Sequence, residues 1–140
     1  FSSCTGRPVP VIAFHGVKDP IVGYDGGGLN ATQIADNQLW KGSKPAGLPQ
    51  HRGVDAALQT WAEHNWCDPQ PVTKRISAEV QHRTWRHCDA DTELYIVDNG
   101  GHSWPGRPVP GFADQFGHTT TDVDATQLIF TFFWAHPSCA

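Results

Sequence analysis

Two short apolar runs constrain what this chain can fold into more than anything else in it. Residues 9–15 read Val-Pro-Val-Ile-Ala-Phe-His and residues 93–98 read Glu-Leu-Tyr-Ile-Val-Asp. Nearly continuous runs of this kind, rich in β-branched and aromatic residues, predict strands buried on both faces, as in a parallel sheet. Each stops on turn chemistry, Gly16 with Asp19-Pro20 in the first case and Asn99-Gly100-Gly101 in the second. Between them, Val54, Ala57, Leu58, Trp61 and Ala62 share one face at three-and-four spacing, which predicts a helix over 54–65. Asp68-Pro69-Gln70-Pro71 ends it. Ile76, Val80 and Trp85 alternate loosely with polar residues, so 72–87 reads as extended edge structure. A closing helix is expected over 121–136, with Thr121 and Asp124 as a capping box and Ala125, Leu128, Ile129, Phe132 and Phe133 as its apolar stripe. The segment 23–49, rich in Gly, Asn, Lys and Pro, reads as a surface excursion with one short helix near 31–39. This order implies an α/β fold with right-handed crossovers. Two central strands are few for a doubly wound sheet, and the chain reads as part of one.

With 140 residues, the chain has the length of one domain. A net charge of −4 and only ten scattered basic residues argue against a nucleic-acid partner. The sequence has no apolar run long enough to cross a bilayer, so no membrane association is expected. It has no methionine, begins at Phe1 and shows no charged-then-apolar leader, which fits a processed or partial product. Cys4, Cys67, Cys88 and Cys139 form no Cys-x-x-Cys pair, against a zinc ribbon or a thioredoxin-type site. An even count without metal spacing fits two disulfides and an oxidising compartment. Asn30-Ala31-Thr32 is a glycosylation sequon, and a secreted, extracellular origin is expected.

Asp19 lies just past the first apolar run and His102 just past the second. Sites of open α/β sheets form at that carboxyl edge. An acid on one such loop and an imidazole on a later one match the second half of a Ser…Asp…His order. There the acid fixes the imidazole tautomer and stabilises the imidazolium formed on proton uptake. The competing reading is turn chemistry at both positions. Eight histidines invite a metal site, yet no His-Glu-x-x-His occurs. His82 and His87, five apart on an expected strand, read as solvated surface histidines, and no metal is expected. Of the six tryptophans, Trp61 falls on a helix's apolar face. Trp104, two residues after His102, is a candidate for substrate contact, and Tyr24 is another.

Beyond these patterns, His15-Gly16-Val17-Lys18-Asp19-Pro20-Ile21-Val22-Gly23-Tyr24 resembles the acid loop of the polyhydroxybutyrate depolymerase and feruloyl esterase group of secreted α/β-hydrolases. Gly100-Gly101-His102-Ser103-Trp104-Pro105-Gly106 is similar to that group's histidine loop. Residues 122–130 resemble its closing helix, and Trp61-Ala62-Glu63-His64-Asn65-Trp66-Cys67 a helix end in which Gly is more usual than Trp66. The resemblance covers almost the whole chain in the right order. It implies that residues 1–140 are the carboxyl-terminal part of one α/β-hydrolase catalytic domain, with Asp19 as triad acid and His102 as triad base. It also supports pairing Cys67 with Cys88, which leaves Cys4 and Cys139 to each other or to a cysteine elsewhere.

One departure from that group dominates. Its nucleophile elbow, Gly-x-Ser-x-Gly, occurs nowhere in the sequence, and Ser103 has no such elbow around it. The nucleophile-bearing amino-terminal part of the domain is therefore expected as a partner, and the chain alone is expected to be silent in catalysis. The implied substrates are polyhydroxyalkanoate oligomers, feruloyl or acetyl esters of polysaccharide, or small esters, with no cofactor. The alternative is a non-catalytic module that binds polysaccharide or polyester through exposed aromatic rings.

Overall fold

The computed structural model describes residues 6–27 and 52–136. Cys4, Cys139, the Asn30 sequon and the short helix expected near 31–39 lie outside the described residues. Four strands, β1 (Val11–Gly16), β2 (Val72–Arg75), β3 (Val80–Thr84) and β4 (Thr92–Val97), form one sheet in the order β1-β4-β3-β2. β1 runs parallel to β4, while β3 pairs antiparallel with both β4 and β2. Helices α1 (Val54–His64), α2 (Ala113–Phe116) and α3 (Ala125–Ala135) complete the described elements. The fold is thus an α/β arrangement on a mixed sheet. No helix among the described residues is long and apolar enough to cross a membrane.

Alternation along the strands sorts the core into two layers. On one face, Val54, Leu58 and Ala62 of α1 close over Trp85, Leu94 and Ile96. On the other, Val123 and Leu128 cover Val80, Tyr95 and Val97 with Ile12 and Phe14. There Phe14, Tyr95 and His82 stack in a row across β1, β4 and β3, with ring centroids 4.9 and 4.3 Å apart. Asn65, which caps α1, is fully buried and binds both polar groups of Val9 as well as the Thr92 hydroxyl. These bonds satisfy a buried amide that would otherwise be destabilising. The Cys67–Cys88 disulfide joins the end of α1 to the approach to β4.

Three expectations change. β4 is buried as predicted, but β1 is only half-buried along Val11–His15. It is an edge strand, and among the described residues no strand lies on its other side. The extended segment 72–87 resolves into the β2–β3 hairpin. The last helix starts at Ala125 rather than Thr121, with Asp124 itself as N-cap, its carboxylate accepting from Gln127 N–H at 3.1 Å. The cause is tertiary: Ala125 N–H donates to the Pro105 carbonyl and Gly106 N–H to that of Thr120, which ties the preceding residues to the 105–106 turn rather than into a helix. His82 is no solvated histidine either. It is half-buried on Tyr95, and its Nε2 lies 2.8 Å from Glu93.

Candidate active site

Parallel pairing brings the carboxyl ends of β1 and β4 side by side, with Gly16 opposite Val97. The chains leaving them stay in contact, since Val17 N–H donates to Val97 and Lys18 N–H to Gly100. Glycine permits this closeness. A Cβ on Gly16 would lie 2.1 Å from the Gly100 carbonyl oxygen, and one on Gly101 would lie 2.0 Å from that of Phe116.

Asp19 follows in a tight turn. One carboxylate oxygen, Oδ1, accepts the N–H groups of Ile21 and Val22, both at 2.8 Å, a local closure that Asp makes readily. Its other oxygen, Oδ2, stands 2.9 Å from His102 Nδ1. The Asp19 side chain is 5% exposed and the His102 ring 47%. A carboxylate only accepts, so Nδ1 carries the ring proton in that bond. The neutral ring then has its lone pair on Nε2, which has no hydrogen-bond partner among the described residues. The two residues that the sequence singled out for chemistry are brought together at the sheet's carboxyl edge.

His102 opens onto a cleft of about 370 Å³ lined by Phe14, His15, Val22, Trp104 and His118 among others. Trp104 is half-exposed there, and its indole N–H donates to the Thr126 hydroxyl of α3 at 3.0 Å, which sets the ring plane. Tyr24 does not itself line this cleft but packs edge-on against His15, which does, with ring centroids 5.7 Å apart. Its hydroxyl donates to Asp55 of α1 at 2.5 Å, and burial, followed by that bond, pushes its ionisation upward. Ser103 Oγ donates to the His118 carbonyl at 3.1 Å rather than to an imidazole.

Three backbone amides of the loop are engaged internally: Gly100 with Val97, Gly101 with His118 and His102 with Phe116. Sequence reasoning missed His15 and His118 as cleft residues. His15 was legible as the last side chain before Gly16, whereas His118 reaches the cleft through a bridge to Gly100 that no local pattern announces. Among the described residues, no group of three or more His, Cys, Asp or Glu side chains is placed to hold a metal ion.

Fold and site together define an α/β domain that sets a shielded carboxylate against an open imidazole at the ends of two parallel strands. No family model, curated protein or solved structure matches the chain.

Proposed function

We propose that this chain supplies the acid and the base of a Ser-Asp-His relay in a secreted carboxylic-ester hydrolase of the α/β-hydrolase type. The observation that carries the reading is the 2.9 Å pair of a shielded Asp19 and a cleft-facing His102 whose Nε2 has no partner among the described residues. In the working enzyme a serine hydroxyl attacks the ester carbonyl while His102 Nε2 takes its proton. Asp19 stabilises the imidazolium, which then protonates the departing alkoxide. Water, deprotonated by the same Nε2, hydrolyses the acyl-enzyme and restores the serine.

Serine and oxyanion donors come, on this reading, from the amino-terminal part of the same domain. The free edge of β1 is where it would add. A strand lying parallel to β1 would end at the edge that carries Asp19 and His102, and a nucleophile in the turn after it would face Nε2. Trp104 stands at the cleft rim to meet the acyl or alcohol portion of a polyhydroxyalkanoate, feruloyl, acetyl or small ester. The Cys67–Cys88 bridge suits an oxidising, extracellular setting.

The test is intact-mass spectrometry after fluorophosphonate treatment of the natural material containing this chain. A labelled species heavier than 15.4 kDa, or a labelled companion chain, with labelling lost in His102→Ala, supports the reading. Absence of label in freshly active preparations removes it.

A second reading, a polymer-binding module, draws on one observation. Phe130, Phe133 and Trp134 stand on one side of α3 at 73, 50 and 89% exposure. Sedimentation with insoluble polysaccharide or polyester, compared between wild type and Phe130→Ala/Trp134→Ala, decides it.

A further inference from the structure

We infer that Glu79 and His118 are positioning residues for the loop that carries His102. The placement of His102 depends on the segment 116–118. His102 N–H donates to the Phe116 carbonyl at 2.6 Å, and Gly101 N–H to that of His118 at 2.8 Å. Ser103 Oγ donates to the same His118 carbonyl, and Gly100 and His118 form an isolated parallel bridge. One short strand-like pairing thus sets the height of the imidazole above Asp19.

At its start the segment is held by Phe116, which is buried and packs on Phe112 and toward the His102 ring. It follows the single turn of α2, passes through Gly117 at φ +81°, and leaves His118 exposed. Its tie to the sheet is the His118 side chain, whose Nε2 meets Glu79 Oε2 at 3.0 Å. Glu79 is a firm anchor. In the turn between β2 and β3, its carbonyl accepts from Asp98 N–H at 2.9 Å. Its own N–H is shared by Ser77 Oγ and Asp122 Oδ2, each at 3.3 Å. Thr120, 1% exposed, also lowers the ionisation of that carboxylate through its hydroxyl. The bonds from His118 and then Thr120 hold the Glu79 carboxyl below the usual range, so the pair stays charge-assisted at neutral pH. A line of contacts therefore runs from the β2–β3 turn through Glu79 and the His118 ring to the His118 carbonyl and the loop of His102. Glu79 does not line the cleft and acts on it only through His118.

The bearing of this on catalysis rests on the hydrolase reading, but the test does not. Amide hydrogen exchange by NMR on the 140-residue chain reads the Gly101 and His102 amides directly. Glu79→Ala is expected to speed both by roughly tenfold or more while Leu94 and Ile96 stay protected, because only a local opening is made easier. Glu79→Gln, which still accepts from His118, is expected to restore protection. Ring nitrogen spectra should show His102 held in its Nδ1–H tautomer in wild type and Glu79→Gln, and mixed tautomers in Glu79→Ala. Unchanged exchange at Gly101 and His102 in Glu79→Ala overturns the inference, as does equal loss in Glu79→Gln. Should Glu79→Ala fail to fold, His118→Ala against His118→Gln gives the same comparison. Failure here leaves the fluorophosphonate result intact, and loss of fluorophosphonate labelling leaves these exchange rates intact.

Discussion

Two imidazole–carboxylate pairs in this molecule have nearly the same length and opposite construction. His102 and Asp19 stand 2.9 Å apart, His136 and Asp91 2.8 Å. In the first pair the carboxylate is 5% exposed and the imidazole 47%, whereas in the second the carboxylate is 57% exposed and the imidazole 21%. The occupancy of the rings differs as well. His102 engages one nitrogen and leaves the other to the cleft. His136 donates through Nδ1 to the Phe132 carbonyl at 2.6 Å and through Nε2 to Asp91. Both of its partners only accept, so that ring is satisfied as an imidazolium. Burial pulls its ionisation down, but the Phe132 and Asp91 bonds outweigh burial and raise it. Pair distance alone thus says little about role. On the proposed reading a shielded acid with an open base serves proton transfer, whereas a base with both nitrogens bonded braces the end of α3.

The largest effect expected from breaking this comparison is in rate. Asn at position 19 can keep accepting from Ile21 and Val22, but its NH₂ would face Nδ1 and force the wrong tautomer. Ester hydrolysis by the nucleophile-bearing enzyme is expected to fall roughly 10⁴-fold in Asp19→Asn, with Asp91→Asn unchanged. Turnover of a chromogenic butyrate ester reads both, and an Asp19→Asn enzyme within tenfold of wild type would sink the relay. Next comes the close approach that makes the open pair possible. Gly101→Ala drives a methyl to 2.0 Å from the Phe116 oxygen, and urea unfolding is expected to show a loss of about 3 kcal/mol or more. Gly111→Ala is the control. It has φ +79° but nothing within 4 Å of its Cβ, so about 1 kcal/mol is expected.

A third experiment loosens the opposite end of β4. The Cys67–Cys88 bridge closes a loop of sequence separation 21, and replacing both cysteines by serine is expected to lower stability by about 3 kcal/mol. Amide exchange should rise first at Asp89 and Trp85, whose N–H groups donate to Asn65 and Thr92, with Gly101 and His102 following only on global unfolding. Simultaneous loss at both ends of β4 would merge the two regions into one unit.

How much of this was legible in the sequence depends on how local the deciding forces are. The 54–65 helix and the 93–98 strand were readable because periodicity and apolar continuity act within the segment. Asp19 and His102 were readable as strand-end residues, and their meeting was expected through the family resemblance; the register that delivers it, β1 parallel to β4, is not a local property of either loop. The start of α3 was misread because a carbonyl at Pro105 decides it. Tyr24 looked like a cleft residue, yet Asp55, 31 positions further on, claims its hydroxyl. His118 and Glu79, 39 positions apart, carry no local signal. The half-burial of β1 depends on what lies beyond its open edge, which no property of Val11–His15 encodes.

The smallest effect separates the pairs by pH. His136 ionises near 6.5 when unfolded, and its folded value is raised. The protonated pair's stabilisation is therefore complete below about pH 6.5 and lost as pH rises through the raised value. Glu79 and Asp98, both lowered, act with the opposite sign, losing their contribution as pH falls through the carboxylate range. Because Asp91 is largely exposed, the His136 term is screened and should stay below about 1 kcal/mol. Urea midpoints measured over about pH 6 to 8 should decline in wild type and decline less in Asp91→Asn, where the neutral amide no longer favours the cation. Equal slopes would remove His136 as a brace. Asp91→Asn should flatten this slope without touching the rate. An Asp91→Asn enzyme that lost rate as well as slope would show that the two pairs are a single coupled system.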